Sequence, residues 1–373
     1  MTLIFETNLS GHRLEYLQHL YHAAISDKKH KYVFVLPEQI RQYTSSSEWG
    51  NSDNIIIQTL SEEEIKYCSR GNLLISSLKR TLILRKYTHK YKATQIFLIF
   101  LMLYIPWGLL CLPKKVQISG IIYRIFLNQK SNFIKKNIHW GLYYLLTASN
   151  RINKVFLLND QHSAEILNNK LKTKKYICLP DPISTYDSSE IIDFRKKYDI
   201  SSQQLLFAHF GGLTRRKGTI KILEAITKIP IEKKDLFCFF FAGKVYNDIK
   251  DEFYTRITDL KKKGYHIFSD DSFVSYNFLH SLAEASDAIL LPYSNTQQSS
   301  GVLGYAALHQ KPVIGSKEGL LGKLITHHNL GDTLNETSSD AIYNAIIRFR
   351  RKKIISNYTV LNSVEKFSMT ILP

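Results

Sequence analysis

LLFAHFGGLTRRKGTIKILEAI, residues 205–226, holds the unit from which the rest of the chain is read. The apolar run Leu205–Phe210 has the length and character of a buried strand, and a helix is expected over Gly218–Ile226. Between them, Gly211 and Gly212 allow a tight turn and a close backbone approach to a ligand. Arg215, Arg216 and Lys217 stand at the N-terminus of the following helix, where unpaired backbone N–H groups already favour an anion. The arrangement suits a diphosphate. The spacing is not that of a Walker loop, which requires Gly-x4-Gly-Lys-Ser/Thr. A basic turn before a helix also occurs on ordinary surfaces, so this stretch gains weight from what surrounds it.

The same strand–helix alternation continues downstream. Strands are expected at Phe237–Ala242, His266–Phe268, Ala288–Leu291 and Val313–Ile314. Helices are expected at Asp248–Lys262, Tyr276–Ala285, Val302–Leu308, Leu320–His327 and Ser339–Arg351. The stretch Leu290-Leu-Pro-Tyr-Ser-Asn-Thr-Gln-Gln-Ser-Ser-Gly-Val-Leu-Gly304 forms a second anion candidate. Ser299 or Ser300 would cap a helix there, leaving the amides of Gly301, Val302 and Leu303 open to a ligand. A plain capped helix is the simpler reading of this stretch alone. Both loops follow strands of one sheet, and ligands of such sheets bind at the strands' carboxyl ends.

Upstream, strands are expected at Leu3–Glu6, Tyr32–Leu36, Ile55–Gln58, Ile96–Leu101, Val116–Ser119, Val155–Leu158 and Tyr176–Leu179, with helical stretches such as Arg13–Ser26 and Gln161–Asn169 between them. Pro180-Asp181-Pro182 and the polar residues after it mark a linker. The expected domains are therefore 1–183 and 184–350, with a tail, 351–373, that crosses back to the first. The fold class is α/β: two Rossmann-like, doubly wound domains facing across a cleft.

The ordered motifs between Gly211 and Leu320 resemble the retaining GT-B glycosyltransferases, in the branch that builds bacterial surface polysaccharides. They are Gly211-Gly212 with Lys217-Gly218, Ser286-Asp287-Ala288 before Leu291-Pro292-Tyr293, Ser300-Gly301-Val302-Leu303-Gly304, and Lys311-Pro312-Val313-Ile314 before Glu318-Gly319-Leu320. Ser10-Gly11-His12-Arg13-Leu14-Glu15-Tyr16 and Pro180-Asp181-Pro182 are similar to elements of the same branch. The resemblance implies that Lys217, with Arg216 or Arg215, holds the donor diphosphate and stabilises the departing nucleotide, assisted by the Gly301–Leu303 amides. It implies a sugar nucleotide as donor substrate, a glycan or lipid-linked acceptor, no cofactor and no metal. Gly11 and His12 would lie near the acceptor and the phosphates, with His12 a catalytic candidate through its switchable imidazole; a His beside Gly is also a common turn or cap residue. Relatives usually carry two glutamates around the second loop, for the transferred sugar and the ribose. Those positions are Gln297 and Tyr305 here. An amide still hydrogen-bonds sugar hydroxyls, but a phenol does not chelate a ribose diol. The donor is then a deoxyribose nucleotide such as a dTDP-sugar, or activity is low or lost.

The composition fits this picture. The chain has 373 residues, 44% hydrophobic and 22% charged, as in ordinary globular proteins. The four cysteines lack Cys-x-x-Cys spacing, which argues against zinc and a disulfide framework. Asp270-Asp271 reads as a turn, not a spaced metal-binding pair. A formal charge of +18 calls for an anionic partner. Residues 73–92, LLISSLKRTLILRKYTHKYK, read as a basic helix with Leu74, Leu78 and Leu82 at helical spacing. That suits an anionic membrane surface or a solvated face equally. The uncharged run 96–112, IFLIFLMLYIPWGLLCL, is slightly short for a membrane span, and a buried strand followed by a short helix explains it as well. No signal peptide is expected, so the expected location is cytoplasmic, at or near the inner face of the cell membrane. Two other readings stand beside the transferase. One is a GT-B epimerase, which normally needs more acids and histidines. The other is a non-catalytic binder, of sugar nucleotides or of nucleic acid; no nucleic-acid module signature is present.

Overall fold

The structure is a computed structural model. It describes the chain apart from residues 11, 45–48, 50–51, 124, 126, 128–132, 184–185, 187, 273, 295 and 373. Two compact units emerge, Met1–Asp181 with Val364–Pro373, and Pro182–Ser363.

In the first unit the apolar runs become β1 (Thr2–Phe5), β2 (Tyr32–Pro37), β3 (Ile55–Leu60), β4 (Gln95–Leu98), β5 (Gln117–Ile122), β6 (Ile152–Leu158) and β7 (Tyr176–Leu179). They pair in parallel in the order β3-β2-β1-β4-β5-β6-β7. Parallel strands are covered by helices on both faces, which is why β1 and β2 are buried at every position and apolar at all but Thr2. The second unit contains β8 (Leu205–Phe210), β9 (Phe237–Ala242), β10 (His266–Asp270), β11 (Ala288–Leu291), β12 (Val313–Ser316) and β13 (Gly331–Leu334), in the order β10-β9-β8-β11-β12-β13 and again parallel. In each sheet the first strand lies between neighbours reached in opposite directions: β1 between β2 and β4, β8 between β9 and β11. The loops diverge at such a switch point and open a crevice beyond the strands' carboxyl ends.

One element differs from expectation. β13 was not foreseen, because Gly331–Leu334 is a short, half-exposed edge strand without an apolar run. The uncharged run 96–112 follows its strand-then-helix reading, with a strand shorter than expected. β4 ends at Leu98, a 3-10 turn covers Leu101–Leu103, and a short helix covers Trp107–Cys111. Ile96, Phe97, Leu98, Ile99, Leu101 and Tyr104 lie in the unit's core. Among the described residues no helix is long and apolar enough to cross a membrane.

The basic stretch does form a helix, Leu73–Lys90, but part of its apolar surface faces outward. Its buried face carries Ser76, Ser77, Thr81 and Thr88 beside Leu84 and Tyr87. Leu73 and Leu74 are 72% and 61% exposed, and Ile75 and Leu82 are also exposed. The hydroxyls of Thr81 and Thr88 tolerate burial by donating to the carbonyls of Ser77 (2.9 Å) and Leu84 (2.7 Å), one turn back. The last helix, Val364–Ile371, belongs to the first unit: Phe367 packs on Tyr16 at 5.0 Å, and the Ser368 hydroxyl donates to the His19 carbonyl.

Candidate functional site

The candidate site is built at the β8 switch point of the second unit. β8 ends at Phe210, and Gly211 takes φ +93. A Cβ on Gly211 would lie 2.8 Å from the Lys217 ammonium, so glycine is what allows that side chain to fold back over the turn. Residues Arg215–Lys217 form a 3-10 turn, capped where the Lys217 amide donates to the Thr214 hydroxyl at 3.2 Å. Gly218 follows at φ +77, pressed so closely against the Pro292 carbonyl that a Cβ would overlap it. The Ser294 amide and hydroxyl both donate to the Arg216 carbonyl, at 2.8 and 3.0 Å. These contacts lock the loop after β8 to the loop after β11. As a result Arg216 and Lys217 stand over the Tyr293 ring, at 5.8 and 5.4 Å from its centroid. The Tyr293 hydroxyl lies 3.5 Å from that of Ser300.

Arg215 leaves this cluster. Its guanidinium pairs with Glu252 at 2.6 Å, and its amide donates to Asp248. The pair holds the Glu252 carboxyl below its usual range, through the hydrogen bond from Arg215 first. Two of the three cations read from the sequence therefore face Tyr293. Lys217 has no hydrogen bond or ion pair among the described residues.

The second loop differs in detail from the sequence reading. The helix Val302–Leu308 begins after Gly301, and neither Ser299 nor Ser300 caps it through its side chain. The Leu303 amide, expected to be open, donates to the Ser300 carbonyl at 2.9 Å, and Gly304 does the same to Gly301. A tight turn thus replaces the side-chain cap, leaving the amides of Gly301 and Val302. The side chains of Val302 and Leu303 are buried. Gln297 and Ser299 are partly exposed on the loop. The loop is anchored by Thr296, 4% exposed, whose carbonyl accepts from the Leu321 amide. Tyr305 is not part of the cluster. It is 6% exposed, packed edge-on to Phe210 at 5.6 Å and against His280 at 4.5 Å.

Sequence reasoning missed the loop after β9. Leu213 and Lys244 lace that loop to the first, with the Leu213 amide donating to the Lys244 carbonyl and the Tyr246 amide to the Leu213 carbonyl. Thr214 and Arg216 then line a cleft of about 500 Å³ with Lys244, Tyr246, Asn247 and Asp248. The Tyr246 ring lies over Gly212, where a Cβ would come within 3.0 Å of it. The signal was present: Gly243-Lys244 follows the apolar strand 237–242, another glycine and cation at a strand's carboxyl end. Asp271, from the next loop, is committed to the Val245 amide and the Tyr254 hydroxyl.

Beneath the cations lies His209, 1% exposed. Its Nδ1 donates to the Leu290 carbonyl at 2.8 Å, so its Nε2 accepts from the Thr219 hydroxyl at 2.9 Å. Burial pushes its pKa down to about 4, and Lys217 adds to the effect. It is a neutral strut joining β8, β11 and the following helix. In the first unit, Gly11 lies outside the described residues; His12 opens the helix His12–Ser26, and its side chain is likewise not described.

This arrangement offers two cations, two amides without a backbone partner among the described residues, and a tyrosine hydroxyl at one crevice. Such a set neutralises an anion in preorganised positions. The sequence matches no protein-family profile and no curated protein. The structure is similar to HepE of Anabaena, solved with UDP and glucose, at 14% identity and a TM-score of 0.69, covering 100% of this chain and 98% of that one. It is also similar to the sucrose-phosphate synthase of Thermosynechococcus elongatus, at 13% identity and a TM-score of 0.70, covering 99% and 96%. WaaG, a glycosyltransferase involved in lipopolysaccharide biosynthesis, follows at 14% and 0.63, covering 99% and 92%. The two parallel sheets and these likenesses together show a two-domain, Rossmann-like GT-B fold.

Proposed function

We propose that this chain is a glycosyltransferase that takes a sugar from a nucleotide-diphosphate sugar bound in its second unit. The observation that carries the reading is the placement of Arg216 and Lys217 over Tyr293 at the β8 switch point. The departing nucleoside diphosphate gathers negative charge as the glycosidic bond breaks, and fixed cations there stabilise the transition state more than the ground state. Each charged hydrogen bond contributes about 1.5–3 kcal/mol. HepE, of the same fold, was solved with UDP and with UDP-glucose, which supports a sugar nucleotide as the ligand. In this reading the reaction is retaining and metal-independent, and the acceptor is a glycan or lipid-linked oligosaccharide of a bacterial polysaccharide pathway. Gln297 meets the transferred sugar.

A thermal-shift screen with UDP, GDP, dTDP and their sugars tests the reading. Stabilisation by at least one diphosphate, lost in Lys217→Ala, is the expected outcome; no response to any of them refutes it. Tight binding of a ribonucleotide donor with none of dTDP would end the deoxyribose assignment. The buried Tyr305 favours one rival, a degenerate sugar-nucleotide binder: it would bind donor yet release no nucleotide with any acceptor.

The outward leucines of helix Leu73–Lys90 support a further part of the reading, a cytoplasmic protein resting on an anionic membrane face. They stand beside Lys79, Arg85 and Lys86 on the same helix. Apolar side chains at the headgroup level with basic neighbours are what such a surface selects. Co-sedimentation with phosphatidylglycerol vesicles but not phosphatidylcholine vesicles is expected.

A further inference from the structure

Most of the chain's positive surplus belongs to the first unit, not to the unit with the cations over Tyr293. Much of it gathers at the edge of the sheet where the strands begin. The turn before β2 carries Lys28, Lys29 and Lys31, and Lys90 and Lys92 precede β4. Lys114 and Lys115 stand before β5, and Lys172 and Lys174 before β7. All of them are exposed. The strand order β2-β1-β4-β5-β6-β7 sets these turns in one row. At about 4.8 Å between neighbouring strands, the row is about 24 Å long.

Carboxylates are scarce along it. Asp27 is committed to its own turn: it accepts from the Tyr32 hydroxyl and the Lys29 amide, and pairs with His30 at 2.8 Å. Asp53 is the one exposed carboxylate in the turns of this edge among the described residues. Lys28 and Lys90 reach neutral oxygens, the Ser52 hydroxyl at 3.3 Å and the Gln58 amide at 2.7 Å. Among the described residues no lysine of the row forms an ion pair. Two other cations of this edge are spent on the fold. Lys175 donates to the Thr147 and Ser149 carbonyls, and Arg151 to those of Leu109 and Pro113. Lysines near helix C-termini are ordinary one at a time. Helix ends do not account for an unbroken row with so few acids.

The kind of anion follows from what the row lacks. No large apolar side chain is exposed in these turns. A membrane surface selects apolar side chains among the basic ones. A protein partner needs an apolar or aromatic centre and disfavours lysine. A single nucleic-acid strand needs aromatic platforms for its bases. A duplex needs none of these. Its phosphates present one negative charge per about 1.7 Å of axis, and neutralising them releases counterions. The row matches about seven base pairs at about 3.4 Å each. Its cations are lysines, point charges without the planar fork by which arginine reads guanine. We infer that this edge of the first unit binds the phosphate backbone of a nucleic-acid duplex, irrespective of sequence. DNA and RNA duplexes share this chemistry. The inference does not rest on the transferase reading, since no residue of the row belongs to the site at β8.

Fluorescence anisotropy on the full chain tests it, with labelled DNA and RNA duplexes of about 20 base pairs, a single-stranded oligothymidylate, and phosphatidylglycerol vesicles as competitor. At least one duplex is expected to bind. With five or six phosphates engaged, affinity should fall roughly a thousandfold between about 50 and 200 mM salt. Reversing one lysine in each of four turns, Lys29→Glu/Lys92→Glu/Lys115→Glu/Lys174→Glu, should weaken binding at least about a hundredfold and flatten the salt dependence. Arginine at the same four positions should keep it. The control Lys197→Glu/Lys233→Glu/Lys262→Glu/Lys323→Glu removes the same charge from exposed sites of the second unit. It should change affinity less than about threefold, because salt screens distant charges. Binding of DNA alone or RNA alone identifies the source and supports the surface. No duplex binding, tighter binding of the single strand or the vesicles than of either duplex, or equal losses in the two quadruple glutamate variants overturns it. UDP titrated into the first variant should bind as it does to the unmodified chain, so that either claim can fail without the other.

Discussion

Replacing Lys217 by alanine isolates the cation on which donor binding depends. Its ammonium sits 5.4 Å from the Tyr293 centroid. Among the described residues it has no carboxylate partner, so truncation strands no buried charge. The stability cost is then limited to a cation–π contact of about 0.5–1 kcal/mol. The binding cost is larger, because a charged hydrogen bond to a phosphate contributes about 1.5–3 kcal/mol, or roughly 10- to 150-fold in affinity. Arg216→Ala should lose a similar amount. Arg215→Ala is the internal control. Its charge is spent on Glu252 in an exposed pair, and removing it should change affinity by less than about threefold. Calorimetry with the nucleoside diphosphate that binds best measures all three, and urea unfolding checks that each variant stays folded. If charge neutralisation of the leaving group is the mechanism, kcat should fall with affinity in the first two variants. Lys217→Ala and Arg216→Ala matching the unmodified chain, or Arg215→Ala losing as much as they do, would refute the reasoning.

Gly218→Ala should cost about 1–3 kcal/mol in urea unfolding and weaken nucleotide binding, because φ +77 and the adjacent Pro292 carbonyl leave no room for a Cβ; wild-type stability would show that the two loops are not locked together. Stability should also depend on His209. Its folded pKa lies below the ordinary 6.5, at about 4, so its contribution is complete above pH 6.5 and lost as the pH falls toward 4. The loss amounts to about 3 kcal/mol, and a His209→Gln variant, followed by urea unfolding across that window, should have a correspondingly flatter profile; parallel profiles would contradict a neutral buried imidazole. Leu74→Glu and Leu82→Glu should each reduce binding to anionic vesicles while leaving the melting temperature within a degree or two, since both side chains are exposed; unchanged vesicle binding would remove that helix from any membrane contact.

Much of the fold was legible in the sequence. Buried parallel strands must be apolar along their whole length, so Tyr32–Pro37 and Phe237–Ala242 stand out wherever they occur. Gly211-Gly212 and the basic residues after them announced the anion site, because a tight turn at a strand's end needs glycine and an anion needs cations. β13 escaped because a short edge strand carries no such pattern.

What the sequence determined by itself was the set of local commitments: which runs form strands, where the chain turns, and which residues bring positive charge to those turns. Which charges remain for a ligand was decided only by tertiary structure. Arg215 is neutralised by a glutamate from a later helix, whereas Lys217 is carried over a glycine and a tyrosine from two other loops. The same holds for helix Leu73–Lys90, whose leucines hydropathy alone would turn inward. Its Ser76, Thr81 and Thr88 hydroxyls donate to its own backbone, so these polar side chains can be buried while Leu73, Leu74 and Leu82 are left outside. Propensity and spacing act over a few residues; the partner of a charge and the direction of a face are set by neighbours distant in the chain.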